Sequence, residues 1–432
     1  MDILFTSMGV IAVLFVVLAS GIWVFAGLAI VACCSLVVFA GMPIERVGLI
    51  LSRILFRAGN SWELAAIPLF IWMGELIFRS DISNRLFKGL EPWTRIVPGG
   101  ILHTNVVGCA LFAAVSGSSS ATTATIGKIT TSELKQRGYD RQLSIGSLAG
   151  AGSLGLLIPP SIVMIVYGIQ AEVSINKLFM AGILPGVLIA LLYSGYLMIH
   201  AMIKPHCAPK ETQCDVTFAR SFRYLLPIIG LITIVLGAIY SGIATPSEAA
   251  AVGVFATLIL LVVERQLTKE VLVNSLISTL QSSTMVCSIM VSAAMLSTSM
   301  GYLHLPSELA RWIAKEHFSP AMLLIALALF YVVLGLFLDG ISITVMSLPI
   351  TLPIIVQAGF DPLWFGVFLV IMVELGQITP PVGFNLFVLQ GLTGEKIGDV
   401  AKASFPFFLL MCTAALIICL APQIALWLPK LA

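Results

Sequence analysis

Charge is what this sequence of 432 residues lacks most. Asp, Glu, Lys and Arg make up 10% of it and hydrophobic residues 59%, whereas a soluble domain carries about a quarter charged residues. A water-soluble protein of this size would need far more surface charge than 23 basic and 21 acidic side chains supply. The composition therefore excludes an ordinary soluble enzyme, and the net charge of +2 gives no basis for a nucleic-acid partner.

Several motifs are missing as well. No Gly-x-Ser-x-Gly, His-Glu-x-x-His or phosphate-loop pattern occurs, so the sequence indicates neither an enzyme nor a nucleotide-driven pump. The first basic residue is Arg46, so the hydrophobic start lacks the positive segment of a cleaved signal peptide and is expected to stay as membrane spans. The eight cysteines are scattered, most of them in hydrophobic runs, and predict no disulfide framework.

Long hydrophobic runs are what the sequence has in abundance. Eight runs have the length and apolarity of spanning helices. They are residues 3–21, 22–41, 61–79, 178–203, 223–241, 248–263, 281–302 and 403–427. Three polar stretches, 43–58, 80–97 and 264–280, mix charged and apolar residues at helical spacing, which predicts helices in the membrane interface. The pattern predicts an all-α polytopic membrane protein.

Four further stretches are apolar overall but are interrupted by Gly, Ser, Thr or Pro. Backbone without helical hydrogen bonds is tolerated at membrane depth only where it is buried in protein or lines a wet cavity. Such segments therefore mark where ions or solutes are bound. We expect residues 98–135 and 319–356 to be re-entrant hairpins, and 142–170 and 362–391 to be discontinuous helices.

The two halves of the chain resemble each other at a shift of about 221 to 223 residues. The turn at 116–120 corresponds to 339–343, and the double-proline break in 155–161 corresponds to the one in 376–382. Two breaks that each follow a Gly-containing turn at the same interval are hard to obtain by chance. The chain is therefore predicted to contain an internal duplication.

The longest hydrophilic segment, 204–222, is predicted to be a cytoplasmic linker between a first repeat, 1–203, and a second repeat, 223–432. With both hairpins entering and leaving on one side, most of the 23 Lys and Arg residues fall on the same side of the membrane as this linker. The positive-inside rule makes that side cytoplasmic. The two repeats are then inverted relative to each other.

Two clusters of oxygen-bearing side chains are the candidate binding sites. Two helix ends meet at a hairpin tip, and the hydroxyl and carbonyl oxygens there can replace the hydration shell of a small hard cation. Each proline break removes N–H groups and frees carbonyl groups to face its tip. The side chains that supply such oxygens are Ser116, Ser118, Ser119, Ser120, Thr122 and Thr123 in the first half and Asp339, Ser342, Thr344 and Thr379 in the second.

Four single polar residues lie in apolar surroundings. Asp339 is the sharpest candidate for a cation site, because a carboxylate within an apolar stretch is costly unless it pairs with a cation or faces water. Glu374 has the same kind of surroundings, and Asn385 could offer an amide to a substrate carboxylate. Glu248 could equally occupy the first turn of a helix. Small residues alone could also serve close helix packing, and the duplication is what favours binding.

At these residues the sequence resembles the large membrane (M) subunit, of the DctM type, of the tripartite ATP-independent periplasmic (TRAP) transporters, within the ion-transporter superfamily. The resemblance spans nearly the whole chain. The motifs that carry it, in order, are PLFIWMGE (68–75), SGSSSATTAT (116–125), GLLIPPS (155–161), GIATPSEA (242–249), DG (339–340) and ELGQITPPVG (374–383).

The resemblance implies an elevator-type importer in the bacterial inner membrane, coupled to Na⁺ and without an organic cofactor. Its substrate would be an organic anion, such as a C4-dicarboxylate or a sugar acid, delivered by a periplasmic binding protein. A small four-helix Q subunit would be the membrane partner, expected as a separate polypeptide because four extra helices do not precede Met1. The alternative is a stand-alone anion permease or exchanger of the same superfamily, without a binding protein.

The residues and the resemblance together give one assignment of the site. The residues predicted to bind cations are Ser116, Gly117, Ser118, Ser119, Pro159, Asp339, Gly340, Ser342, Gly376 and Thr379. Those predicted to contact the substrate are Ser120, Thr122, Ser161, Thr344, Pro380 and Asn385. Glu248 and Glu374 are two further candidates, and no metal other than Na⁺ is expected.

Overall fold

The computed structural model describes residues 9–10, 12–14, 16–17, 20–209, 216–308, 311, 319–379 and 383–431. Within these ranges the secondary structure is helical throughout and contains no β-strand. By length and hydropathy, six of the described helices could cross a membrane, and the bent pair at 44–59 and 62–78 could form a seventh span. The prediction of an all-α polytopic membrane protein is confirmed.

The helices follow one another through short turns. In the first half they are α1 (Val24–Cys34, continued by the π-helical Ser35–Phe39), α2 (Ile44–Gly59), α3 (Ala66–Phe78, preceded by the 3-10 turn Trp62–Ala65), α4 (Ile82–Thr94), α5 (Leu102–Ser116), α6 (Ser119–Gln136), α7 (Arg141–Gly152, followed by the 3-10 turn Ser153–Leu156), α8 (Ile162–Gln170) and α9 (Ile175–Ile203, followed by the 3-10 turn Pro205–Cys207). In the second half they are α10 (Phe218–Tyr240), α11 (Pro246–Val263), α12 (Lys269–Tyr302), α13 (Pro320–Gly335), α14 (Gly340–Gln357), α15 (Pro362–Ile378), α16 (Phe384–Thr393), α17 (Ile397–Leu420), α18 (Gln423–Leu426) and the final 3-10 turn Leu428–Lys430.

The helices pack in two groups. In one group α3 lies against α11 and α12, α4 lies along α10, and α12 lies along α1. The other group contains the interrupted stretches: α5, α6 and α7 pack on one another, α15 packs on α13, α14 and α17, and α6 packs on α16. The contacts of α12 with α14 and of α4 with α5 connect the two groups. The polar turns therefore lie within the second group and are surrounded by helices.

Each interrupted stretch folds as two helices on either side of a break. The stretch 98–135 contains α5 and α6, and 319–356 contains α13 and α14. The stretch 142–170 contains α7, a 3-10 turn and α8, and 362–391 contains α15 and α16. Ser, Asp or Gly begins the second helix of each pair, because such residues satisfy or leave open the first N–H groups of a helix.

One predicted interface helix is wrong. Residues 264–280 do not form a separate helix, because α12 runs without a break from Lys269 to Tyr302 over 34 residues. No Gly or Pro lies between 269 and 300, so nothing stops the helix from continuing. The polar spacing in its first turns reflects packing, since the Trp72 indole N–H donates to the Ser275 hydroxyl at 3.2 Å.

Two other predictions fall partly outside the described residues. Much of the predicted span 3–21 is outside them, and so are 210–215 of the linker.

The linker is shorter than predicted, since α10 already begins at Phe218. The predicted span 403–427 begins earlier than expected, at Ile397, and ends at Leu420.

Candidate functional site

The first hairpin turns at Gly117, between α5 and α6. Gly117 is left-handed, with φ 60° and ψ 16°, and a Cβ atom there would lie 2.9 Å from the Pro160 carbonyl oxygen. The N–H of Ile162, the first residue of α8, donates to the Gly117 carbonyl oxygen at 3.3 Å. The positive φ and the close approach both favour glycine. The first tip and the first break therefore touch through their backbones.

Hydroxyl groups surround this tip. Ser118 is the N-cap residue of α6 and accepts from the N–H of Ala121. The hydroxyl oxygens of Ser116 and Thr122 lie 2.8 Å apart, and Thr122 also donates to the Ser118 carbonyl at 2.7 Å. The Ser118 and Ser120 hydroxyl oxygens lie 3.3 Å apart. Four residues predicted to bind a cation or the substrate thus form one group of oxygens.

The facing break brings two more predicted residues to the same place. Ser161 is the N-cap residue of α8, and its hydroxyl accepts from the N–H of Met164 at 3.3 Å. Pro159, two residues earlier, is buried, as is Ser161. Both lie in the segment whose next residue, Ile162, donates to Gly117.

The second hairpin turns at Asp339, the N-cap residue of α14. One carboxylate oxygen accepts from the N–H groups of Ile341 and Ser342 at 3.1 and 3.2 Å. The other accepts from the Ser342 hydroxyl at 2.5 Å. The Thr344 hydroxyl donates to the Gly340 carbonyl at 2.8 Å. Asp339 therefore has a structural role as a cap, and its half-buried carboxylate also places a negative charge at the second tip.

The second tip packs against both breaks. A Cβ atom on Gly340 would lie 2.9 Å from side-chain atoms of Leu156 and Val373 and 3.0 Å from the Gln377 amide nitrogen. Leu156 belongs to the 3-10 turn of the first break, and Gln377 lies just before the second break. Each hairpin tip and the break of the same half together form what we call a clamp, and the two clamps are therefore in contact with each other.

The second break contains three predicted residues. Gly376 packs against Gly335 of α13, and the Thr379 hydroxyl donates to the Leu375 carbonyl at 2.5 Å. The prediction for Pro380 lies outside the described residues. Of this segment, the Gln377 side chain is the part that lies beside the second tip, next to Gly340.

The helix starts define how the two clamps correspond. Ser118 and Asp339 both cap the second helix of a hairpin, and Ser161 and Gly383 both begin the helix after a break. The sequence comparison pairs Ser116, not Ser118, with Asp339, so it is two residues out of register at the tip. Helix capping decides the register, because the cap must precede the first helical turn.

A buried cluster joins the two halves of the chain. The Asn385 amide nitrogen lies 2.6 Å from the Ser119 hydroxyl oxygen, which lies 3.0 Å from a Glu374 carboxyl oxygen and 3.0 Å from the Gly152 carbonyl oxygen. The exposed fractions of Ser119, Glu374 and Asn385 are 2%, 1% and 0%. The cluster therefore connects α6 and α7 to α15 and α16 within the protein interior.

The sequence predicts these three residues as separate candidates and does not predict that they form a cluster. Ser119 was expected to bind a cation, Asn385 the substrate, and Glu374 was a further candidate. The available signal was that each is a polar residue in an apolar segment beside a break. Their contact spans 255 and 266 residues of chain, which no local pattern can predict.

Some polar atoms of the described residues in and near this cluster could accept further hydrogen bonds or bind a cation. Among the residues that the structure describes, three buried oxygens lack a hydrogen-bond partner: Glu374 Oε1, Asn385 Oδ1 and Thr123 Oγ1. Buried polar atoms are normally satisfied. Oxygens of this kind suit a small hard cation, so the donor set around the first tip and the second break fits Na⁺.

Glu248 lies elsewhere. It forms a capping box with Thr245: its carboxylate accepts from the Thr245 N–H and hydroxyl at 2.8 Å, and its own N–H donates to the Thr245 hydroxyl at 3.4 Å. It begins α11, which packs on α3 and α10. The helix-start interpretation therefore accounts for Glu248, and the structure does not bring it to the two tips.

The ion pairs that join different helices, among the described residues, lie away from the tips. The ion pairs between described residues of different helices are Arg85 with Glu264, Arg137 with Glu91 and Arg141 with Glu395. None includes a residue of the two clamps.

Comparison with known proteins identifies the family of this chain. Residues 11–424 match the family model for the tripartite ATP-independent periplasmic transporter, DctM component. The chain belongs to the DctM family. The resemblance inferred from the motifs is thereby confirmed, and DctM membership makes the chain a multi-pass membrane protein of a transporter.

Named DctM relatives cover most of the chain. It is 33% identical over 377 residues to the C4-dicarboxylate TRAP transporter large permease protein DctM of Pseudomonas aeruginosa, covering 87% of this chain and 88% of that one. It is 30% identical over 375 residues to the ectoine TRAP transporter large permease protein TeaC of Halomonas elongata, covering 86% and 87%. It is 32% identical over 411 residues to the isethionate TRAP transporter permease protein DctMQ of Oleidesulfovibrio alaskensis, covering 95% of this chain and 64% of that one. These names point to a transporter and not to an enzyme.

Two solved structures share the DctM fold. Neisseria gonorrhoeae MtrF, described with a class of antimetabolite efflux pumps, superposes with a TM-score of 0.63 at 12% identity, covering 89% of this chain and 84% of that one. The Alcanivorax borkumensis YdaH transporter superposes with a TM-score of 0.62 at 14% identity, covering 90% and 89%. At these identities the similarity is one of fold alone.

Proposed function

We propose that the chain imports an organic anion together with Na⁺ across the bacterial inner membrane. The observation that carries the proposal is the pair of clamps, in which an oxygen-rich hairpin tip faces a helix break in each half. In the first, Gly117 touches the break at Ile162; in the second, Gly340 packs against Gln377.

Cations would bind first. One Na⁺ at each tip would pull the tip toward its break and bring hydroxyl and amide groups into place for an anionic carboxylate. The predicted ligands are those assigned above, with Ser116, Ser118 and Ser161 at the first clamp and Asp339, Ser342 and Thr379 at the second. The substrate would lie between the clamps, and Asn385 would contribute to its side of the site.

Movement would follow an elevator mechanism with inverted repeats. The division of the helices into two groups, one of which contains both clamps, supports this part of the proposal, because that group could slide against the other. The repeat would be formed by residues 1–203 and 223–432, joined by the cytoplasmic linker 204–222.

The partners follow from family membership. A tripartite system needs a small membrane subunit and a periplasmic binding protein, and we propose both as partners of this chain. The relatives carry different substrate names, C4-dicarboxylate, isethionate and ectoine. We propose that the substrate is an organic anion, a carboxylate such as a C4-dicarboxylate or a sugar acid, with the binding protein making much of the selection.

The test is uptake into proteoliposomes that contain this chain and its small membrane partner. Organic acids are scanned with and without the binding protein, under an imposed Na⁺ gradient and under a K⁺ gradient of the same size as the control. We expect uptake to require the binding protein and Na⁺. Uptake by this chain alone would contradict the tripartite proposal and support the stand-alone permease, and uptake driven by protons without Na⁺ would contradict Na⁺ coupling.

A further inference from the structure

Three arginines lie in a row along α2. Arg46, Arg53 and Arg57, which we call the arginine stripe, are all exposed. At about 100° per residue, Arg53 and Arg57 lie within about 20° of Arg46 around the helix, and the stripe extends about 17 Å along it. Like charges four residues apart on a helix repel each other. The stripe is therefore unfavourable for α2 by itself, and an anion beside it would relieve the repulsion.

The stripe does not face the protein. α2 packs on α12, and its inward face consists of Val47, which is 1% exposed, and the half-buried Ile54 and Ala58. This face lies about 100° around the helix from the stripe. The arginine side chains are therefore free to contact whatever surrounds the protein.

No acidic side chain among the described residues forms an ion pair with the stripe. The ion pairs between described residues include none of its three arginines. Glu45 is the acidic residue in the first turn of α2, and it directly precedes Arg46. Adjacent residues do not face each other on a helix. The positive charge of the stripe is therefore not balanced within α2.

Arg57 has two carboxylates in its wider surroundings. It borders a cavity of about 920 Å³ that Glu63 and Glu172 also line. The Glu63 carboxylate accepts from the Ser61 hydroxyl, and Glu172 is exposed. The other two arginines of the stripe do not line this cavity. They therefore test the stripe independently of these carboxylates.

Large apolar side chains lie directly beside the stripe. Leu49 is 63% exposed and lies three residues after Arg46 and four before Arg53. Phe56 is 72% exposed and lies three residues after Arg53. Residues at these spacings are neighbours on a helix surface. The outer face of α2 therefore presents cationic and apolar groups together, as helices at the boundary between headgroups and acyl chains do.

The end of α2 has a second feature of a membrane interface. Trp62, at the start of the 3-10 turn that follows α2, is 69% exposed. Tryptophan is enriched where the hydrocarbon of a membrane meets its headgroups. α2 is inclined by 53° to the segment Trp62–Phe78, so it does not simply continue that span. Both observations favour a position of α2 at headgroup level.

We propose that α2 binds an anionic phospholipid, whose phosphate group contacts the arginine stripe and whose acyl chains lie against Leu49 and Phe56. A soluble anion would use the charges alone. An acidic protein surface would leave two large apolar side chains unpaired beside it. A phospholipid matches both parts, because its headgroup and chains meet at one boundary. The inference depends neither on the substrate nor on Na⁺ coupling.

Native mass spectrometry of the full-length chain in a neutral detergent, titrated with phosphatidylglycerol, tests the proposal. An arginine near an anionic headgroup contributes about fivefold to the affinity. Replacing all three arginines of the stripe by Gln should therefore weaken the tightest phosphatidylglycerol site about a hundredfold. Phosphatidylcholine, which has no net charge, should bind both proteins equally weakly. A wild type without preference for phosphatidylglycerol, or a triple variant of unchanged affinity, would overturn the proposal.

A charge-matched variant separates the stripe from general attraction. Lys177, Lys269 and Lys396 are exposed and lie at the starts of α9, α12 and α17. Replacing these three by Gln removes the same net charge and leaves the stripe intact. Distant exposed charges are screened by salt, so this variant should keep the wild-type affinity for phosphatidylglycerol within about twofold. Equal losses in the two triple variants would contradict a site on α2.

A single substitution decides the question if the triple variant does not fold. Arg46 does not line the cavity with the two carboxylates, so Arg46→Gln should weaken phosphatidylglycerol binding about fivefold through lost attraction to the lipid alone. Arg46→Lys keeps the charge and should keep most of the affinity. An unchanged affinity in Arg46→Gln, or an equal loss in Arg46→Lys, would contradict the proposed contact.

Thermal unfolding in lipid nanodiscs gives an independent readout. Replacing phosphatidylcholine by phosphatidylglycerol should raise the unfolding temperature of the wild type more than that of the triple stripe variant, and the two should unfold together in pure phosphatidylcholine. KCl at about 1 M shortens the Debye length to about 3 Å, so it should remove most of the difference without supplying Na⁺. Inorganic phosphate added to phosphatidylcholine nanodiscs should cause no shift. A shift as large as that from the lipid would indicate a site for free anions and overturn the proposal.

Discussion

Gly335 of α13 and Gly376 of α15 lie backbone to backbone. A Cβ atom on Gly335 would lie 2.5 Å from the Gly376 Cα atom, and one on Gly376 would lie 2.6 Å from the Gly335 Cα atom. The contact occurs where α13 runs toward the second tip and α15 toward the second break. It therefore fixes the separation between the two parts of the second clamp.

Replacing Gly376 by Ala should force α13 and α15 apart. We expect a loss of about 1–3 kcal/mol in the free energy of unfolding, as for other overpacked sites, and weaker Na⁺ binding because the second tip moves with α13. Thermal unfolding and Na⁺-dependent uptake measure the two effects. The control is Gly195→Ala in α9, where a Cβ atom meets nothing within 4 Å among the described residues. Equal behaviour of the two variants would show that the close contact is unimportant.

At Asp339 a substitution can separate the helix-capping role of the side chain from its negative charge. Asparagine caps a helix about as well as aspartate, so Asp339→Asn should keep α14 stable while removing the negative charge at the second tip. Na⁺-dependent uptake should then fall at least tenfold, with little change in unfolding temperature. Asp361→Asn is the control, because Asp361 caps α15 in the same way but is exposed. Full Na⁺ dependence in Asp339→Asn would limit Asp339 to capping.

Asp339→Ala completes this series. Loss of a cap costs about 1 kcal/mol, so this variant should lose stability as well as Na⁺ dependence. The same stability loss is expected for Asp361→Ala, with uptake unchanged per folded molecule.

The left-handed turn at Gly117 should tolerate no side chain. Ala in a left-handed conformation costs about 1–2 kcal/mol anywhere. At Gly117 the side chain would also press on the Pro160 carbonyl oxygen and disturb the bond from Ile162. Gly359→Ala provides the matched control, since Gly359 has φ 84° and open space around it among the described residues. We expect both variants to lose stability, and Gly117→Ala alone to lose Na⁺ binding as measured by isothermal calorimetry.

Arg137 connects the first hairpin to α4. Its guanidinium lies 2.7 Å from Glu91, whose side chain is 7% exposed, and 3.3 Å from Glu133, which is 39% exposed. Arg137→Gln should lower the free energy of unfolding by about 1–3 kcal/mol, because it leaves the buried Glu91 carboxylate without this cation. The loss should be smaller than for a fully buried ion pair, because Arg137 is partly exposed. Glu133→Gln, which removes only the exposed partner, should change the unfolding free energy by less than about 0.5 kcal/mol. Equal losses would show that burial of Glu91 does not matter.

Much of the fold was predictable from particular segments. The long apolar runs predict α9, α10, α11 and α17, because only a helix or a closed barrel satisfies its backbone in lipid. The glycine turn at 116–120 and the proline break at 155–161 predict where helices stop, since glycine readily adopts the left-handed conformation that ends a helix and two consecutive prolines remove two of its N–H groups. The extension of α12 through 269–280 was missed, because part of its polar spacing reflects packing on α3, as in the bond from Trp72 to Ser275, although Lys269 and Glu270 are exposed.

The candidate site was predictable as a set of residues but not as an arrangement. Ser119, Glu374 and Asn385 each stand out as polar positions beside a break. Their contact depends on α6 packing against α15 and α16. Capping likewise pairs Ser118 with Asp339, two residues away from the pairing that the sequence repeat suggests.

By itself the sequence determined that this protein lies in lipid, that it is helical, and where its helices break, because each of these follows from local composition and backbone chemistry. Tertiary structure alone decided which breaks face which tips, that Glu248 only begins a helix, and that Glu374 meets Ser119. The last of these depends on close packing between segments more than 250 residues apart, and packing of that kind has no signature along the chain.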